Sequence, residues 1–299
     1  MPEKIQKKRI TLLDIILGSM IAAGFFWFVY RMNVVIEYKW NWAAIPEYMF
    51  RFDSEKRAWV PNMIIEGFLT TIRLSFWAMI LAMALGMVMG FLRSGNRLFG
   101  RLISGVYVQI VRNTPPLVLI FIFYYFISTQ IMNLFGVEDF VANLSSGPES
   151  VIRFCFSRPS LFPAFLSALF TLAVFEGAYI TEIVRAGIES VEKGQWEASA
   201  ALGLSWIQQM RHVIWPQAGR IILPPLSGQF ISTIKDSAIV SVISIPELTF
   251  AGTEIMASTF MTFEIWITIA LLYLILTLSC SIGTDMLERS MKKGRGRFA

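Results

Sequence analysis

The sequence predicts an all-α, polytopic membrane helix bundle with about six transmembrane helices. The chain has 299 residues, is 55% hydrophobic and is only 16% charged, which is less charge than an ordinary soluble domain carries. A helix needs roughly 20 consecutive apolar residues to cross the hydrocarbon core of a bilayer. The segments that meet this need are approximately Leu12–Tyr30, Met63–Leu92, Pro115–Phe135, Leu161–Val184, Ile221–Ile245 and Phe263–Met286.

Two of these segments depart from a simple span. The second is longer than a crossing requires and contains Arg73, so we expect it to tilt or to project beyond the bilayer. In the fifth, Pro224 and Pro225 lie near the start, and Lys235 and Asp236 lie within it. A broken or re-entrant helix is an alternative there, because irregular backbone is tolerated where it faces protein or a water-filled path.

The distribution of Lys and Arg predicts the orientation. The proposed inner segments hold 16 of the 26 basic residues and the outer segments hold 7. Because cytoplasmic loops carry an excess of Lys and Arg, we expect both termini in the cytoplasm, which requires an even number of spans. The segments compared are 1–11, 93–101, 185–220 and 287–299 inside, and 31–61, 136–160 and 246–262 outside.

The predicted organisation has three parts. Residues 1–60 hold a cytoplasmic tail, a first span and an external loop. Residues 61–290 form the main transmembrane domain, with a cytoplasmic loop at about 190–218, and 291–299 form a basic tail. A cleaved signal peptide is an alternative for the N-terminus, but no small-residue cleavage site follows its apolar stretch.

Several activities are excluded by what the sequence lacks. It contains no G-x-x-x-x-G-K-[ST] phosphate loop, and one histidine, His212, cannot form a paired-histidine metal site. No nucleophile–base–orienter set is visible, so we predict a non-catalytic chain without a metal ion. Cys155 and Cys280 form no disulfide framework. The net charge of +5 is assigned to basic cytoplasmic loops rather than to a nucleic acid partner.

The longest predicted cytoplasmic loop, 185–220, carries the most specific signal. Two short helices fit it. One covers Gln195–Leu202; the other begins at a possible N-cap, Ser205, and ends at Pro216. Gly203, between them, can adopt backbone angles that are closed to other residues. A less specific alternative is an amphipathic helix pair that lies on the membrane.

This loop resembles the EAA signature of ABC importer permeases, which runs E-A-A, three residues, G, nine residues, I-x-L-P. Glu197, Ala198, Gly203 and Pro216 match in register, and Ser199 replaces the second alanine. Two further substitutions lie before the proline: Val213 for isoleucine and Trp215 for leucine. The resemblance implies that the loop is a coupling helix that sits in a groove of a separate ATPase subunit.

The wider resemblance, over about residues 64–288, is to the polar amino acid permeases. It lies in Gly67–Ser75, Val111–Leu117, Phe175–Val191 and Ile234–Gly252. It implies a type I ABC importer permease in the bacterial inner membrane, importing a polar or charged amino acid. The implied partners are ATP-binding cassette subunits, a second permease chain that is identical or related, and an extracytoplasmic solute-binding protein. ATP and Mg would be held by the ATPase, and no cofactor by this chain.

Charged side chains within spans are candidate substrate contacts, because each costs roughly 2.5–3.5 kcal/mol at the centre of a bilayer. An amino acid zwitterion needs donors for its carboxylate and acceptors for its ammonium group. The candidates are Arg73, Glu176, Tyr179, Lys235 and Asp236. Structural roles are the alternative: Glu182 and Arg185 suit an intrahelical pair, and the heads of Arg73 and Arg112 can reach interfacial water.

Asn113 and Thr114 precede the third span. We expect one of them to cap that helix, while the alternative is that the helix start faces the permeation path.

Two rival functions are weighed against an importer. An ion-gradient-driven secondary transporter or channel would need an internal inverted repeat, and none is visible. A structural scaffold would use the buried charges only to hold helices together.

Overall fold

The computed structural model describes residues 11–34, 38–55 and 57–293. The first ten residues and the end of the predicted basic tail lie outside the described residues, so part of the charge count does too. The chain divides between Ala43 and Ala44 into two compact units, whereas the sequence-based division lies after residue 60. The first unit contains one exposed apolar helix, α1, Leu12–Val34.

In its described residues, the larger unit is helical with one small hairpin. Its elements, in chain order, are α2 Ile45–Met49, β1 Phe50–Asp53, β2 Ala58–Pro61, α3 Met63–Ser94, α4 Leu98–Asn113, α5 Pro116–Ile122, α6 Thr129–Leu134, α7 Val137–Ala142, α8 Ser146–Cys155, α9 Phe162–Glu189, α10 Lys193–Ala201, α11 Trp206–Gln209, α12 Trp215–Asp236, α13 Leu248–Thr259 and α14 Thr262–Lys293. The π-helical turns Phe123–Ser128 and Met210–Ile214 join α5 to α6 and α11 to α12.

The predicted spans are confirmed by length and composition. In the described part of the chain, five helical stretches are long and apolar enough to cross a membrane. A sixth crossing is obtained if the pair Trp206–Ile243 and Leu248–Thr259, bent by 47°, counts as one broken span. The fifth segment is therefore interrupted rather than continuous. As expected, α3 is longer than a crossing requires, since its 32 residues extend over about 48 Å.

The centre of the bundle is the contact between α3 and α9. Glycines on α3 allow the two backbones to approach, because an added Cβ at Gly86 would lie 2.5 Å from Ile180 Cγ2, and one at Gly90 would lie 2.6 Å from Val184 Cγ1. Small residues at helix contacts allow this close packing in membranes, where helix association cannot draw on burial from water. Both contacts advance in the same direction along the two helices, so α3 and α9 run parallel.

Helix α4 packs on this pair and leads into the third predicted span. The hydroxyl of Ser104 donates to the carbonyl oxygen of Met89 at 2.8 Å, and that of Tyr107 donates to the carbonyl oxygen of Val174 at 2.6 Å. Both hydroxyls satisfy helix carbonyls in an apolar setting, where unpaired polar groups are costly. They fix α4 along the α3–α9 contact.

The predicted end of the second loop helix at Pro216 is wrong. After α11 the chain continues through the π-helical turn into α12 without a break. Pro216 lies directly after the π-helical turn, where the regular hydrogen-bond pattern of the α-helix is already interrupted. The helical path instead ends at Ser244, whose φ of 59° is left-handed, and Glu247 then caps α13 by accepting a hydrogen bond from the backbone N–H of Phe250.

Helices α3 and α9 begin at the same end of the bundle, and the antiparallel hairpin β1–β2 covers that end. Phe52 pairs with Trp59 across the hairpin, and their rings meet edge to face at 5.7 Å between centroids. Asn62, which precedes α3, links that helix to α2, because its side chain donates to the carbonyl oxygen of Glu47 at 2.7 Å. The opposite end carries α10 and α11.

Replacing Gly86 with alanine is expected to destabilise the bundle. The new methyl group overlaps both Cβ and Cγ2 of Ile180, so the helices must separate, at a cost of about 1–3 kcal/mol. The matched control is Gly105→Ala on α4, where an added Cβ meets nothing within 4 Å and helix propensity improves. Thermal melting in detergent should show a lower Tm for Gly86→Ala only; equal Tm values would contradict the close contact.

Candidate functional site

A polar cluster lies between α9 and α12, inside the spans. Glu176 is fully buried, and its Oε2 accepts a hydrogen bond of 2.5 Å from the side-chain amide of Gln229. Its other oxygen, Oε1, makes no hydrogen bond among the described residues. Asp236 and Thr233, both on α12, lie close enough to act on the same carboxyl group. The cluster therefore offers several oxygen acceptors in an apolar setting.

A cation and an aromatic ring lie one turn further along α9. The guanidinium carbon of Arg112 stands 5.3 Å from the ring centroid of Tyr179, which is a cation–π distance. Tyr179 is three residues after Glu176, so the predicted shared face is consistent with the geometry. Arg112 is exposed in the single chain. A donor group for a carboxylate therefore lies one helical turn from the acceptors of the Glu176 cluster, at an exposed position.

Two predicted substrate candidates do not join this cluster. Lys235 is exposed and points away from the buried side of α12, while its neighbour Asp236 is partly buried. Arg73 lines a separate cleft at the hairpin end of the bundle. Since Gly86 lies level with Gly177, Arg73 is about 20 Å from Glu176 along the helix axes.

The predicted pair between Glu182 and Arg185 is confirmed and is part of a larger network. Arg185 Nε lies 2.8 Å from Glu182 Oε2, and Arg93 Nη1 lies 2.7 Å from Glu182 Oε1. Arg185 also pairs with Glu189. All four side chains keep some solvent exposure, so the network links the ends of α3 and α9 rather than forming an isolated buried charge.

The loop between α9 and α12 has a defined shape. Gly203 has φ of 76°, and the amides of Gly203 and Leu204 donate to the carbonyl oxygens of Ala200 and Ser199 at 2.9 and 3.3 Å. This is the paired hydrogen-bond pattern of a Schellman motif, which ends α10. The predicted capping role of Ser205 is confirmed, because Ser205 and Gln208 form a capping box.

The residues that resemble the EAA signature lie on different faces of this loop. Glu197 and Ala198 are exposed, as is Pro216 at the start of α12. Ser199 is buried, and its hydroxyl donates to the carbonyl oxygen of Trp196, so this substitution faces the bundle. Beside the exposed residues stands a projecting apolar surface that includes Leu202, 79% exposed, and Ile207, 71% exposed.

The predicted cap at Asn113 or Thr114 is wrong. The residue at the N-cap of α5 is Pro115, which has no side-chain cap. The hydroxyl of Thr114 instead donates backward to the carbonyl oxygen of Ile110 at 2.7 Å, which satisfies the end of α4. Because Pro116 has no N–H to be capped, the first turn of α5 needs fewer partners.

The sequence reasoning missed a second buried carboxylate, Glu247, at the break between α12 and α13. Glu247 is fully buried, and its Oε2 accepts hydrogen bonds from the hydroxyls of Tyr273 at 2.8 Å and Thr71 at 3.3 Å. Its Oε1 accepts from the amide of Phe250 at 2.8 Å. The signal available in the sequence was a glutamate after Pro246 at a helix start, where an acidic cap is favourable.

Comparison with protein families finds a match to the model of binding-protein-dependent transport system inner membrane components over residues 82–293. The glutamine transport system permease protein GlnP of Escherichia coli strain K12 is 34% identical over 263 residues, covering 86% of this chain and 99% of that protein. The arginine transport system permease protein ArgU of Corynebacterium glutamicum is 30% identical, covering 94% of this chain and 80% of that protein.

Solved structures agree in fold. The crystal structure of an amino acid ABC transporter with histidines superposes with a TM-score of 0.63 at 29% identity, covering 85% of this chain and all of that one. An inward-facing structure of the MetNI methionine ABC transporter gives a TM-score of 0.57 at 19% identity, covering 76% of this chain and 95% of that one. The second match supports the fold alone.

The Glu247 network is expected to stabilise the break between the two half-helices. Tyr273→Phe removes the hydroxyl that donates to Glu247, and the loss should cost about 1–2 kcal/mol, because the remaining carboxylate stays buried. The matched control is Tyr125→Phe, since Tyr125 is 57% exposed. A lower Tm in detergent for the first variant alone is expected; unchanged melting would show that the network contributes no stability.

Proposed function

The chain belongs to the family of binding-protein-dependent transport system inner membrane components and is the permease subunit of an amino acid ABC importer; we propose that it carries a polar or charged amino acid and is coupled to a separate ATPase. The substrate path runs through the Glu176 cluster, and the coupling contact is the Glu197–Pro216 loop. The chain itself is non-catalytic.

The observation that carries the substrate proposal is the buried carboxylate of Glu176, which has one oxygen without a hydrogen bond among the described residues. A buried polar oxygen without a hydrogen bond is costly unless it gains a partner, and the ammonium group of an amino acid is such a partner. Asp236 adds a second acceptor, and Arg112 beside Tyr179 supplies a cation for the carboxylate. Gln229 can both donate and accept, which suits a polar side chain.

The shape of the loop supports the coupling proposal. Its two helices are fixed by the Schellman motif at Gly203 and by the capping box at Ser205. It carries an exposed glutamate, Glu197, beside apolar side chains such as Leu202. Exposed apolar groups rimmed by polar ones are typical of protein–protein contacts. A rigid knob of this kind fits a groove on a partner better than a flexible loop does.

The proposed assembly contains two permease chains, identical or related, two ATP-binding cassette subunits and an external solute-binding protein. The relatives GlnP and ArgU are named as subunits of transport systems, which supports an assembly of several chains. We place both termini in the cytoplasm on the distribution of basic residues. ATP binding would shift the bundle between inward- and outward-facing states with different substrate affinity, and ATP and Mg would remain on the partner.

Replacing Glu176 with glutamine should weaken uptake by about tenfold or more at limiting substrate, because a charge-assisted contact with the ammonium group is lost. Co-purification with the ATPase should stay intact. The control on the same helix is Glu189→Gln, whose exposed pair with Arg185 contributes little. Uptake into proteoliposomes measures both; wild-type uptake by Glu176→Gln would remove Glu176 from the path.

Replacing Gly203 with valine should separate the permease from its ATPase. A β-branched residue at φ of 76° is strained by about 1–2 kcal/mol or more, so the Schellman motif opens and α10 shifts. Gly194→Val is the control, since an added Cβ at Gly194 meets nothing within 4 Å and its φ is not positive. Co-purification on a tagged ATPase is the measurement; full assembly and transport by Gly203→Val would argue against the coupling role.

A further inference from the structure

A cleft of about 440 Å³ opens at the hairpin end of the bundle. It is lined by the first turns of α3, the hairpin, the joint between α8 and α9, and the start of α13. Its volume lies within the range of roughly 300–1,000 Å³ that is usual for small-molecule sites. The charged residues of its lining are Arg51, Asp53, Glu66, Arg73, Arg153, Arg158 and Glu254.

Arg73 lies deepest among these charged residues along α3. It is half-buried and makes no ion pair or hydrogen bond within residues 11–34, 38–55 and 57–293. Its nearest acidic neighbour on the same helix, Glu66, is already engaged, because Arg158 donates to both of its carboxylate oxygens. Arg73 is therefore left with a guanidinium group that can receive a carboxylate through two parallel hydrogen bonds.

The same cleft contains an acceptor for the other end of an amino acid. Glu254 lies on α13, is exposed, and forms no ion pair in the described part of the chain. An α-amino acid carries a carboxylate and an ammonium group on one carbon, so it needs one cationic and one anionic partner in a common cavity. Arg73 on α3 and Glu254 on α13 both line this cleft and supply this combination.

We infer that this cleft is a receiving site where Arg73 binds the carboxylate, and Glu254 the ammonium group, of the free amino acid before it reaches Glu176. This inference rests on the proposed function. Arg73 lies ten residues into α3, which is about 15 Å below the helix start. A folded partner that docks on the hairpin contacts only the rim of the cleft, whereas a free amino acid is small enough to reach Arg73 at its floor.

The receiving site is separated from the Glu176 cluster by an apolar layer. Phe165 and Ile245 line the cleft and pack with Leu74 in the central core, and all three are almost fully buried. Phe175, the neighbour of Glu176, belongs to the same core. Passage from the cleft to Glu176 therefore requires these side chains to move apart, so the two sites are occupied in succession.

The test uses the complete transporter in proteoliposomes with its solute-binding protein and radiolabelled L-glutamine, L-arginine or L-glutamate, whichever it imports. Arg73→Gln should lower the number of amino acids imported per ATP hydrolysed by about tenfold, because released substrate is not retained. Stimulation of ATP hydrolysis by the loaded binding protein should persist. Arg73→Lys, which keeps the charge, should restore part of the ratio. Glu254→Gln, at an exposed position, should lower it independently.

Arg57→Gln is the matched control, since Arg57 lies in the hairpin turn outside the cleft lining. A wild-type ratio in both Arg73→Gln and Glu254→Gln, with uptake still lost in Glu176→Gln, would overturn the receiving site and leave the proposed function standing. Loss of ATPase stimulation in Arg73→Gln and Glu254→Gln would also overturn it, because the cleft would then be a docking contact for the binding protein. Normal uptake by Glu176→Gln would contradict the proposed function separately.

Discussion

The close contact between α3 and α9 determines where every other feature of the bundle lies. Gly86 and Gly90 leave no side chain between the helices, and their contacts with Ile180 and Val184 show that α3 and α9 run parallel. This arrangement brings Arg93 opposite Glu182 at one end. At the other end, the first turns of both helices form the walls of the cleft that contains Arg73.

Glu247 and Glu176, two of the three fully buried carboxylates among the described residues, have different environments, and the difference agrees with the structural role of the first and the proposed substrate role of the second. Glu247 is satisfied by Tyr273, Thr71 and the amide of Phe250. A fully satisfied polar group of this kind stabilises one arrangement of the chain. Glu176 holds one hydrogen bond from Gln229 and keeps an oxygen open. An incompletely satisfied acceptor costs free energy in the empty protein and gains it back on binding a cation.

The sequence predicted the features that are encoded in consecutive residues. Apolar length located the spans, and the spacing from Glu197 to Pro216 located the loop, because both are properties of consecutive residues. It could not predict which helices are neighbours, so Arg73 and Glu176 were grouped although about 20 Å of helix separates them.

The differences between prediction and structure at Pro216 and at α13 also arise from features that a pattern of consecutive residues does not show. Pro216 looked like a helix end because proline breaks a regular α-helix, but the π-helical turn before it changes the hydrogen-bond pattern. Helix α13, with 12 residues, is too short to be recognised as a span. It packs through Leu248 against Gly67, which comes from a distant part of the chain.

The same π-helical turn gives the loop a direct connection to the substrate cluster. From Trp206 to Asp236 the chain is helical without a break, so the loop and Gln229 lie on one element about 35 Å apart. In the proposed cycle, a displacement of the loop by the ATPase moves Gln229 relative to Glu176, whose helix is held by α3. The π-helical turn Met210–Ile214 and the prolines Pro224 and Pro225 interrupt the regular α-helical hydrogen-bond pattern between the loop and Gln229. In this proposal, coupling depends on α12 moving past α3 and α9, which are held together by their close contact. Such a movement changes the hydrogen bond between Gln229 and Glu176 first.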